Sequence, residues 1–421
     1  MNLKNLIQTV FVFTMFILVG GCGSTSENNT ETENNFVKAG RYRAEMHMKG
    51  QTLPFTIELT KFDNQNYLMT FVNGEERMPS DTFSIVNDSA KVTLNIFDSA
   101  FEIVFNNDSF KGEFVKYYKK DDYRIPIEGE LSNDPEFQLN NKEAVKIAEK
   151  YSVKFVDEEG IVTESVGEFV QTGNDVKGTF LTPLGDYRFL TGVVDGDSLK
   201  LSTFDGDHAF LFLASINENN ELTGSFWSGI HWYEDWTAIP DPNATLPDAG
   251  ELTYMKEGYD SFEFSFPDLE GNMVSVSDEQ YDNKVVIIQL LGSWCPNCMD
   301  ETKFLAEWYN NNQDLPVEII GLAYEQKDDF EYASGRVSKL KDRLKVDYTI
   351  LIAGNADKEK AAKTLPMLNN VIAFPTTIVL DKNKDIRYIH TGFSGPGTGD
   401  HYIRFAEHFD ELINKLANEE I

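Results

Sequence analysis

The chain has 421 residues, of which 41% are hydrophobic, so it can bury sizeable cores and fold as two or three domains. Its 69 acidic side chains outnumber its 37 basic ones, which gives a formal net charge of -32. Nucleic acids bind clustered lysine and arginine, so this charge balance disfavours a nucleic acid as a partner. We interpret the acidity as a contribution to solubility.

Residues 1–22 have the pattern of an export signal, with a positive charge at Lys4, an apolar stretch at residues 10–19 and a cysteine at Cys22. The apolar stretch is shorter than the ~20 residues of a membrane span and fits the ~7–15 residues of a signal peptide. Residues 18–22 resemble the lipobox of bacterial lipoproteins. The resemblance implies cleavage before Cys22 and lipidation of Cys22, whereas the alternative is an ordinary signal peptide with an incidental cysteine.

A polar segment at residues 23–35, rich in Ser, Thr, Asn and Glu, fits a flexible tether above a membrane. Several acyl chains on Cys22 would give stable anchoring, where a single chain would not. We expect no further membrane-spanning segment. The sequence therefore predicts a lipid-anchored protein of the cell envelope that faces the periplasm, and it leaves open whether the inner or the outer membrane carries it.

Residues 36–240 alternate apolar and polar side chains over short stretches, for example at residues 55–60 and 91–97. Turn-forming Asn, Asp and Gly residues separate these stretches, which is typical of an antiparallel β sandwich or barrel. The pattern also allows two related halves, at residues 36–135 and 152–240. The sequence thus predicts an N-terminal β-rich domain.

Two features interrupt or end this β-rich region. Near residues 141–151, four apolar side chains recur at helical spacing and predict a helix. Residues 240–250 contain three prolines together with Asp, Asn and Gly, which stop regular structure. We therefore place a linker at residues 241–257 and a second domain at residues 258–421.

The second domain alternates predicted strands and helices, which indicates an α/β layer structure. Residues 284–291 form a near-continuous apolar run, as in a strand that is buried on both faces. The pattern predicts further strands at residues 316–323, 348–353, 376–380 and 386–391. It predicts a helix that begins at the cysteine pair and ends at about residue 311. It predicts further helices at residues 328–344, 357–368 and 400–416. The fold class is therefore α+β multidomain.

Cys295 and Cys298 are separated by two residues and follow the apolar run directly. A C-x-x-C between a strand and a helix is the thioredoxin-type redox arrangement. Once Cys22 is lipidated, this pair is the sole possible intrachain disulfide among the three cysteines of the chain. We expect dithiol–disulfide exchange outside the cytoplasm, where disulfides persist.

The start of a helix lowers the pKa of a cysteine, because its free N–H groups and its dipole favour an anion. Cys295 is therefore the expected nucleophile, and Cys298, one turn further on, is the expected resolving thiol. Pro296 suits the first helical turn, where its missing N–H costs nothing. The alternatives are two idle thiols or a metal site. We expect no metal, since zinc needs more ligands and none of the six histidines forms a compact motif with the pair.

Residues 285–301, which include the C-x-x-C, and residues 374–377 resemble the thioredoxin-like disulfide reductases of the TlpA/ResA type. The resemblance covers somewhat more than a third of the chain. It implies a thioredoxin-like fold for residues 258–421 and disulfide reductase activity through Cys295 and Cys298. We expect no bound cofactor.

The same resemblance implies a cis-proline loop at Phe374–Pro375 that faces the dithiol. Such a loop presents backbone groups that can pair with an extended substrate strand. Trp294, Pro296, Phe374 and Pro375 are therefore candidates for substrate binding. The alternative for Pro375 is a proline at the edge of a strand.

Glu301 shares a helical face with Cys298, because it lies three residues further on. The corresponding position in the ResA group is a glutamate proposed to assist proton transfer at the buried thiol, so Glu301 is a catalytic candidate. A solvated helix residue is the alternative. The chain departs from its relatives at two positions: Asn297 replaces a common proline, and Gln289, which cannot ionise, stands where thioredoxin has a buried aspartate.

These features predict a membrane-anchored thiol:disulfide oxidoreductase that acts on disulfides of exported proteins and receives electrons from a membrane thiol donor. The alternative is a lipoprotein whose β-rich region binds a substrate or ligand and whose thioredoxin-like domain is accessory. The dithiol could also act as an oxidant, because the direction of exchange depends on its potential and its partner.

Overall fold

The computed structural model describes residues 37–94, 96–119, 121–140 and 143–420. The predicted signal peptide, Cys22 and the predicted tether lie outside these described residues. None of the helices in the described part has both the length and the apolarity of a membrane-spanning segment. The described residues form two large antiparallel β-sheets followed by an α/β region.

The first sheet is antiparallel, and its strands alternate buried and less buried side chains because successive side chains point to opposite faces. Its strands are β1 Gly40–Met48, β2 Gln51–Lys61, β3 Asn66–Asn73, β4 Glu76–Pro79, β5 Phe83–Ser84, β6 Ser89–Thr93, β7 Ser99–Asn106, β8 Ser109–Lys116 and β9 Tyr123–Leu131. The strand order is β4-β3-β2-β1-β9-β8-β7-β6, and β5 pairs with β3.

The second sheet is also antiparallel and closes on itself. Its strands are β10 Lys150–Asp157, β11 Val162–Thr172, β12 Asp175–Thr182, β13 Gly185–Asp186, β14 Leu190–Asp195, β15 Ser198–Phe204, β16 Ala209–Ile216, β17 Leu222–Ser228 and β18 Trp232–Pro240. The order is β11-β10-β18-β17-β16-β15-β14-β12-β13, and an additional pairing of β11 with β12 makes the sheet a barrel. The barrel encloses its own aromatic core. An N-terminal antiparallel β region, either a sandwich or a barrel, was predicted from the sequence and is confirmed.

The prediction of a helix near residues 141–151 is wrong for the part of that segment that the structure describes. Residues 143–149 are not helical, and Lys150 begins strand β10. The Gln171 side chain of the barrel accepts a hydrogen bond from the Ile147 N–H at 2.8 Å and donates to a neighbouring carbonyl at 3.0 Å. Ile147 is buried in the barrel core. These tertiary contacts outweigh helical spacing, which is a weak preference.

The C-terminal region contains a five-stranded sheet with helices packed against it. Every residue of its central strand, Val285–Leu291, is buried, which explains the continuous apolar sequence of this strand. The elements are α1 Ala249–Leu252, β19 Ser265–Pro267, β20 Met273–Ser275, a 3-10 turn Glu279–Tyr281, β21 Val285–Leu291, α2 Pro296–Asn311, β22 Val317–Glu325, α3 Phe330–Leu344, β23 Thr349–Asn355, α4 Lys358–Thr364, β24 Thr376–Leu380, β25 Ile386–Thr391, a 3-10 turn Pro396–Thr398 and α5 Asp400–Asn418.

The sheet order is β23-β22-β21-β24-β25; β21, β22 and β23 run parallel, whereas β24 and β25 are antiparallel to their neighbours. The strands and helices predicted from the sequence in this region are all present, with ends that differ by a few residues. The α+β multidomain class is therefore confirmed.

Helix α1 lies inside the predicted linker at residues 241–257. The Thr391 hydroxyl donates to the Thr253 hydroxyl at 2.8 Å, so the second half of this segment contacts the C-terminal sheet. The domain boundaries and the relation between the two β-rich halves stay predictions.

Phe204, at the end of β15, joins the two large sheets. Its ring centroid lies 5.0 Å from that of Phe71 and 5.1 Å from those of Phe55 and Phe114, all in the first sheet. The Asn73 side chain donates to the Phe204 carbonyl at 3.0 Å and accepts from its N–H at 3.2 Å. A side chain of the barrel thus completes the core of the first sheet.

Candidate active site

Helix α2 begins directly after the central strand β21, and both cysteines lie at its first turn. Cys295 is the N-cap residue, and Pro296 is the first helical residue. The Cys298 N–H donates to the Cys295 sulfur at 3.2 Å, so a free N–H of the helix start points at the expected nucleophile. Both thiols are free. Cys295 is 7% exposed, whereas Cys298 is fully buried.

The two thiols have different electrostatic surroundings. Burial, followed by the neighbouring Cys295 sulfur, raises the pKa of Cys298 well above its usual range. Cys298 therefore keeps its proton at neutral pH until a base removes it. This arrangement suits an outer nucleophile and an inner resolving thiol, and these roles stay predictions.

The loop before β24 faces the dithiol, as expected. The Phe374–Pro375 peptide bond is cis. The Cys295 thiol donates to the Phe374 carbonyl at 3.4 Å. The Trp294 ring meets the Phe374 ring edge-on, with centroids 6.0 Å apart, and the Trp294 indole N–H donates to the Tyr324 carbonyl at 2.9 Å. Three of the four substrate-binding candidates thus lie together beside Cys295.

Glu301 is fully buried on the inner side of helix α2, so it is not the solvated residue of the alternative interpretation. The Gln289 amide donates to one carboxylate oxygen at 2.8 Å, and the Thr377 hydroxyl donates to the other at 2.9 Å. Burial raises the pKa of Glu301 to about 7, although these two hydrogen bonds act in the opposite direction. A carboxyl group with such a pKa can both take and give a proton near neutral pH.

Residues 243–402 match the model of the Redoxin family. This part of the chain is a Redoxin domain. Among curated proteins, the thiol-disulfide oxidoreductase ResA of Geobacillus kaustophilus is 28% identical over 144 residues, which are 34% of this chain and 73% of that protein. ResA of Halalkalibacterium halodurans is 25% identical over 162 residues, which are 38% of this chain and 80% of that protein.

Similar solved structures include the following two. A putative thiol:disulfide interchange protein DsbE of Chlorobium tepidum is 17% identical with a TM-score of 0.28, and the match covers 36% of this chain and 99% of that chain. A DsbF homologue of Corynebacterium diphtheriae is 20% identical with a TM-score of 0.30, at 42% and 96% coverage.

The Redoxin match and the ResA relatives confirm the predicted resemblance to TlpA/ResA-type proteins and the thioredoxin-like class of the C-terminal domain. The Redoxin match starts at residue 243, whereas the sequence pattern places the start of the domain at residue 258. The roles of the individual site residues, and lipidation at Cys22, stay predictions.

The Redoxin domain contains a further buried carboxyl group, Glu325, which sequence reasoning missed. It ends β22 and accepts hydrogen bonds from the Ser293 N–H at 2.8 Å and from the Ser293 hydroxyl at 2.9 Å, two residues before Cys295. Burial raises the pKa of Glu325 to about 7. The sequence signal that could have found Glu325 is its position at the carboxyl end of β22, which runs parallel to β21. The carboxyl ends of parallel strands meet at one edge of a sheet.

The residues between the two cysteines touch the barrel, which sequence reasoning also missed. Pro296, the fourth substrate-binding candidate, is buried, and its carbonyl accepts a hydrogen bond from the Arg188 guanidinium at 3.0 Å. The Asn297 side chain donates to the Asp186 carbonyl at 3.2 Å. Pro296 is therefore covered by the barrel rather than open to a substrate.

A group of three potential metal ligands occurs in the first sheet, outside the Redoxin domain. Ligand atoms of Glu45, His47 and Glu128 lie within 4.8 Å of one another. Arg43 pairs with Glu45 at 2.5 Å and Lys111 with Glu128 at 2.8 Å, so cations of the chain already neutralise both carboxylates. We assign no metal to this group, and the expectation that the protein binds no metal or cofactor stays a prediction.

Proposed function

We propose that the protein is a membrane-anchored thiol:disulfide oxidoreductase that reduces disulfides of exported proteins through Cys295 and Cys298. The observation that carries this proposal is the Cys295 sulfur at the start of helix α2. It accepts the Cys298 N–H at 3.2 Å and lies 3.4 Å from the Phe374 carbonyl. A thiolate is stabilised at such a helix start and is the species that attacks a disulfide.

In the proposed reaction, the Cys295 thiolate attacks one sulfur of a substrate disulfide and forms a mixed disulfide. The second substrate sulfur leaves as a thiolate and takes a proton from solvent. Cys298 then loses its proton to the Glu301 carboxylate and attacks the Cys295 sulfur. The remaining substrate sulfur leaves as a thiolate and takes a proton from solvent, Glu301 releases its proton to solvent, and a Cys295–Cys298 disulfide remains. A membrane thiol donor returns two electrons and two protons to it.

The proposed substrate site is the surface beside Cys295. Trp294 and the Phe374–Pro375 loop would contact an extended stretch of the substrate, and backbone groups of the loop would pair with it. The relatives named thiol-disulfide oxidoreductase ResA support this class of reaction. Lipidation of Cys22 and the polar segment at residues 23–35 would hold the domain at the periplasmic face of a membrane.

A second candidate function is binding of a ligand by the β-rich region, with the Redoxin domain as an accessory. The observation that favours it is a cavity of about 650 Å³, lined by the first sheet, the barrel and residues 396–400. That volume lies in the range of small-molecule sites. A redox titration separates the two candidates. The absence of a reversible dithiol couple near ~−270 to −180 mV would favour the second candidate.

The direct test uses cysteine variants of the purified protein. Cys295→Ser should abolish disulfide reduction, because the attacking sulfur is lost. Cys298→Ser should retain substrates as mixed disulfides on Cys295, and mass spectrometry of the trapped adducts would name them. Undiminished reduction by Cys295→Ser would refute the proposal, and net oxidation of substrate thiols by the wild type would reverse its direction.

A further inference from the structure

Arg188 is a buried cation that joins the first sheet, the barrel and helix α2. It follows β13 in the barrel and is 1% exposed. Its guanidinium pairs with Glu76 of the first sheet at 2.5 Å, with Asp205 of the barrel at 3.3 Å and with Asp300 of helix α2. A buried charge is expensive unless carboxylates and hydrogen bonds surround it, so this position fixes the guanidinium in place.

The guanidinium also reaches the C-x-x-C itself. One of its nitrogens donates to the Pro296 carbonyl at 3.0 Å and binds Asp300, so it holds one of the two residues between the cysteines and a residue of the next turn. Strand β13 of the barrel is close enough that a Cβ on Gly185 would lie 2.4 Å from the Asn297 side chain. The barrel therefore holds the first turn of helix α2 at several points.

We propose that Arg188 is a positioning residue for the dithiol. By fixing the Pro296 carbonyl and Asp300, it keeps the first turn of helix α2 oriented so that the Cys298 N–H remains directed at the Cys295 sulfur. Its charge also offsets the carboxylates around it, which would otherwise disfavour a nearby thiolate. This inference rests on the proposed redox function and adds to it a part for the β-rich region.

Other charged groups act on the dithiol from the surrounding elements: Glu301 on α2 acts on Cys298, and Lys358 at the start of α4 interacts with Cys295. Asp300 on α2 and Asp186 on β13 interact with Arg188 itself, and Glu325 at the end of β22 binds Ser293. A change in the thiol pKa of an Arg188 variant therefore reports the loss of Arg188 together with the release of the carboxylates that it binds.

The test is Arg188→Met, in the full protein, with two readouts. The thiolate absorbance of Cys295 should titrate at a pKa about one unit higher, which is a tenfold loss of thiolate below that pKa. The midpoint potential, measured at a pH above the Cys295 pKa of both proteins, should become about 30 mV more negative, since a tenfold change in the equilibrium is 29.6 mV. Destabilising the thiolate destabilises the reduced state.

Two further variants keep the test decisive. Arg188→Lys retains the cation but cannot reach all partners at once, so several-fold effects in the same direction are expected even if Arg188→Met fails to fold. The matched control is Arg124→Met. Arg124 also binds three carboxylates, Glu102, Glu113 and Asp122, all in the first β-rich half, and its loss should leave both readouts unchanged.

The positioning role would be overturned if folded Arg188→Lys had the thiol pKa and the midpoint potential of the wild type. It would also be overturned if Arg124→Met shifted both quantities as much as the Arg188 variants do. A wild-type protein without a reversible dithiol couple would instead contradict the proposed function, so the two failures are distinguishable.

Discussion

Glu301 shows how a single residue gains its chemistry from its surroundings. Its spacing from Cys298 predicts a shared helical face, and the structure adds full burial between Gln289 and Thr377. Removal from water disfavours the charged carboxylate, which raises the pKa of Glu301 to about 7. Helical spacing could not distinguish this buried position from a solvated one.

Glu301→Gln should make the free energy of unfolding depend less on pH. The pKa of Glu301 is about 7 in the folded protein against a usual 4.5, so the folded state keeps a proton that the unfolded chain loses. The contribution of protonated Glu301 to the free energy of unfolding is therefore lost as pH rises from about 4.5 to about 7. This contribution is on the order of 1–3 kcal/mol. Urea unfolding of both proteins at several pH values across this window checks the prediction.

The control for this prediction is Glu307→Gln, on the exposed side of the same helix. It should leave the pH dependence of stability unchanged, because an exposed carboxylate has similar surroundings in the folded and unfolded states. Identical slopes in Glu301→Gln and the wild type would contradict the proposed protonation of Glu301.

Arg188 and Glu325 carry no comparable local signal. Arg188 lies in a turn of the barrel, more than a hundred positions before Pro296, whose carbonyl it holds. Glu325 ends an apolar strand and meets Ser293 because two parallel strands finish at the same edge. The partners of such residues are set by the assembled sheets, so a scan along the sequence passes over them.

At the scale of elements, the segment at residues 143–149 shows the limit of hydrophobic periodicity. Its apolar spacing fits a helix, yet the barrel takes up its backbone groups: Gln171 binds Ile147, and the Val145 N–H donates to the Gly196 carbonyl at 2.9 Å. A short helix is marginal by itself, so contacts with an adjacent sheet decide its conformation.

Gln171→Ala should loosen this segment. The substitution removes the acceptor of the Ile147 N–H and a donor to the Val145 carbonyl, so stability should fall by about 1–2 kcal/mol. Hydrogen exchange at the Ile147 amide should become faster, as measured by NMR or mass spectrometry. Gln171→Glu retains an acceptor for this amide and should preserve its protection. Unchanged exchange in Gln171→Ala would show that the side chain does not hold the segment.

The C-terminal elements were predictable because their signals are local. Strand β21 is an uninterrupted apolar run and is buried along its whole length. Helix α2 starts at a cysteine N-cap followed by Pro296, a residue that favours the first helical turn. Such elements keep their conformation in almost any tertiary context.

At the scale of the whole molecule, the first sheet and the barrel depend on each other. Phe204 of the barrel is fully buried among aromatic rings of the first sheet, and Asn73 of the first sheet binds its backbone. A side chain that enters another sheet's core couples the stability of the two.

Phe204→Ala should therefore destabilise both β-rich halves together. Loss of a buried phenylalanine ring costs about 3–5 kcal/mol, because a cavity remains in the aromatic cluster. The free energy of unfolding from urea titrations measures the loss, and hydrogen exchange in strands β3 and β15 shows where it falls. Phe204→Leu, which fills most of the volume, should cost less. A loss below about 1 kcal/mol in Phe204→Ala, or one confined to the barrel, would be inconsistent with a shared core.

The sequence alone determined the alternation of strands and helices in the C-terminal region, the dithiol at a helix start, the loop at Phe374–Pro375 and the helical face shared by Cys298 and Glu301. These features depend on spacing within a few residues or on one recognisable motif. Tertiary structure alone decided the extended course of residues 143–149, the closure of the barrel and the contact of Arg188 with the C-x-x-C. Those features arise from contacts between residues far apart along the chain, whose free energies outweigh local preferences.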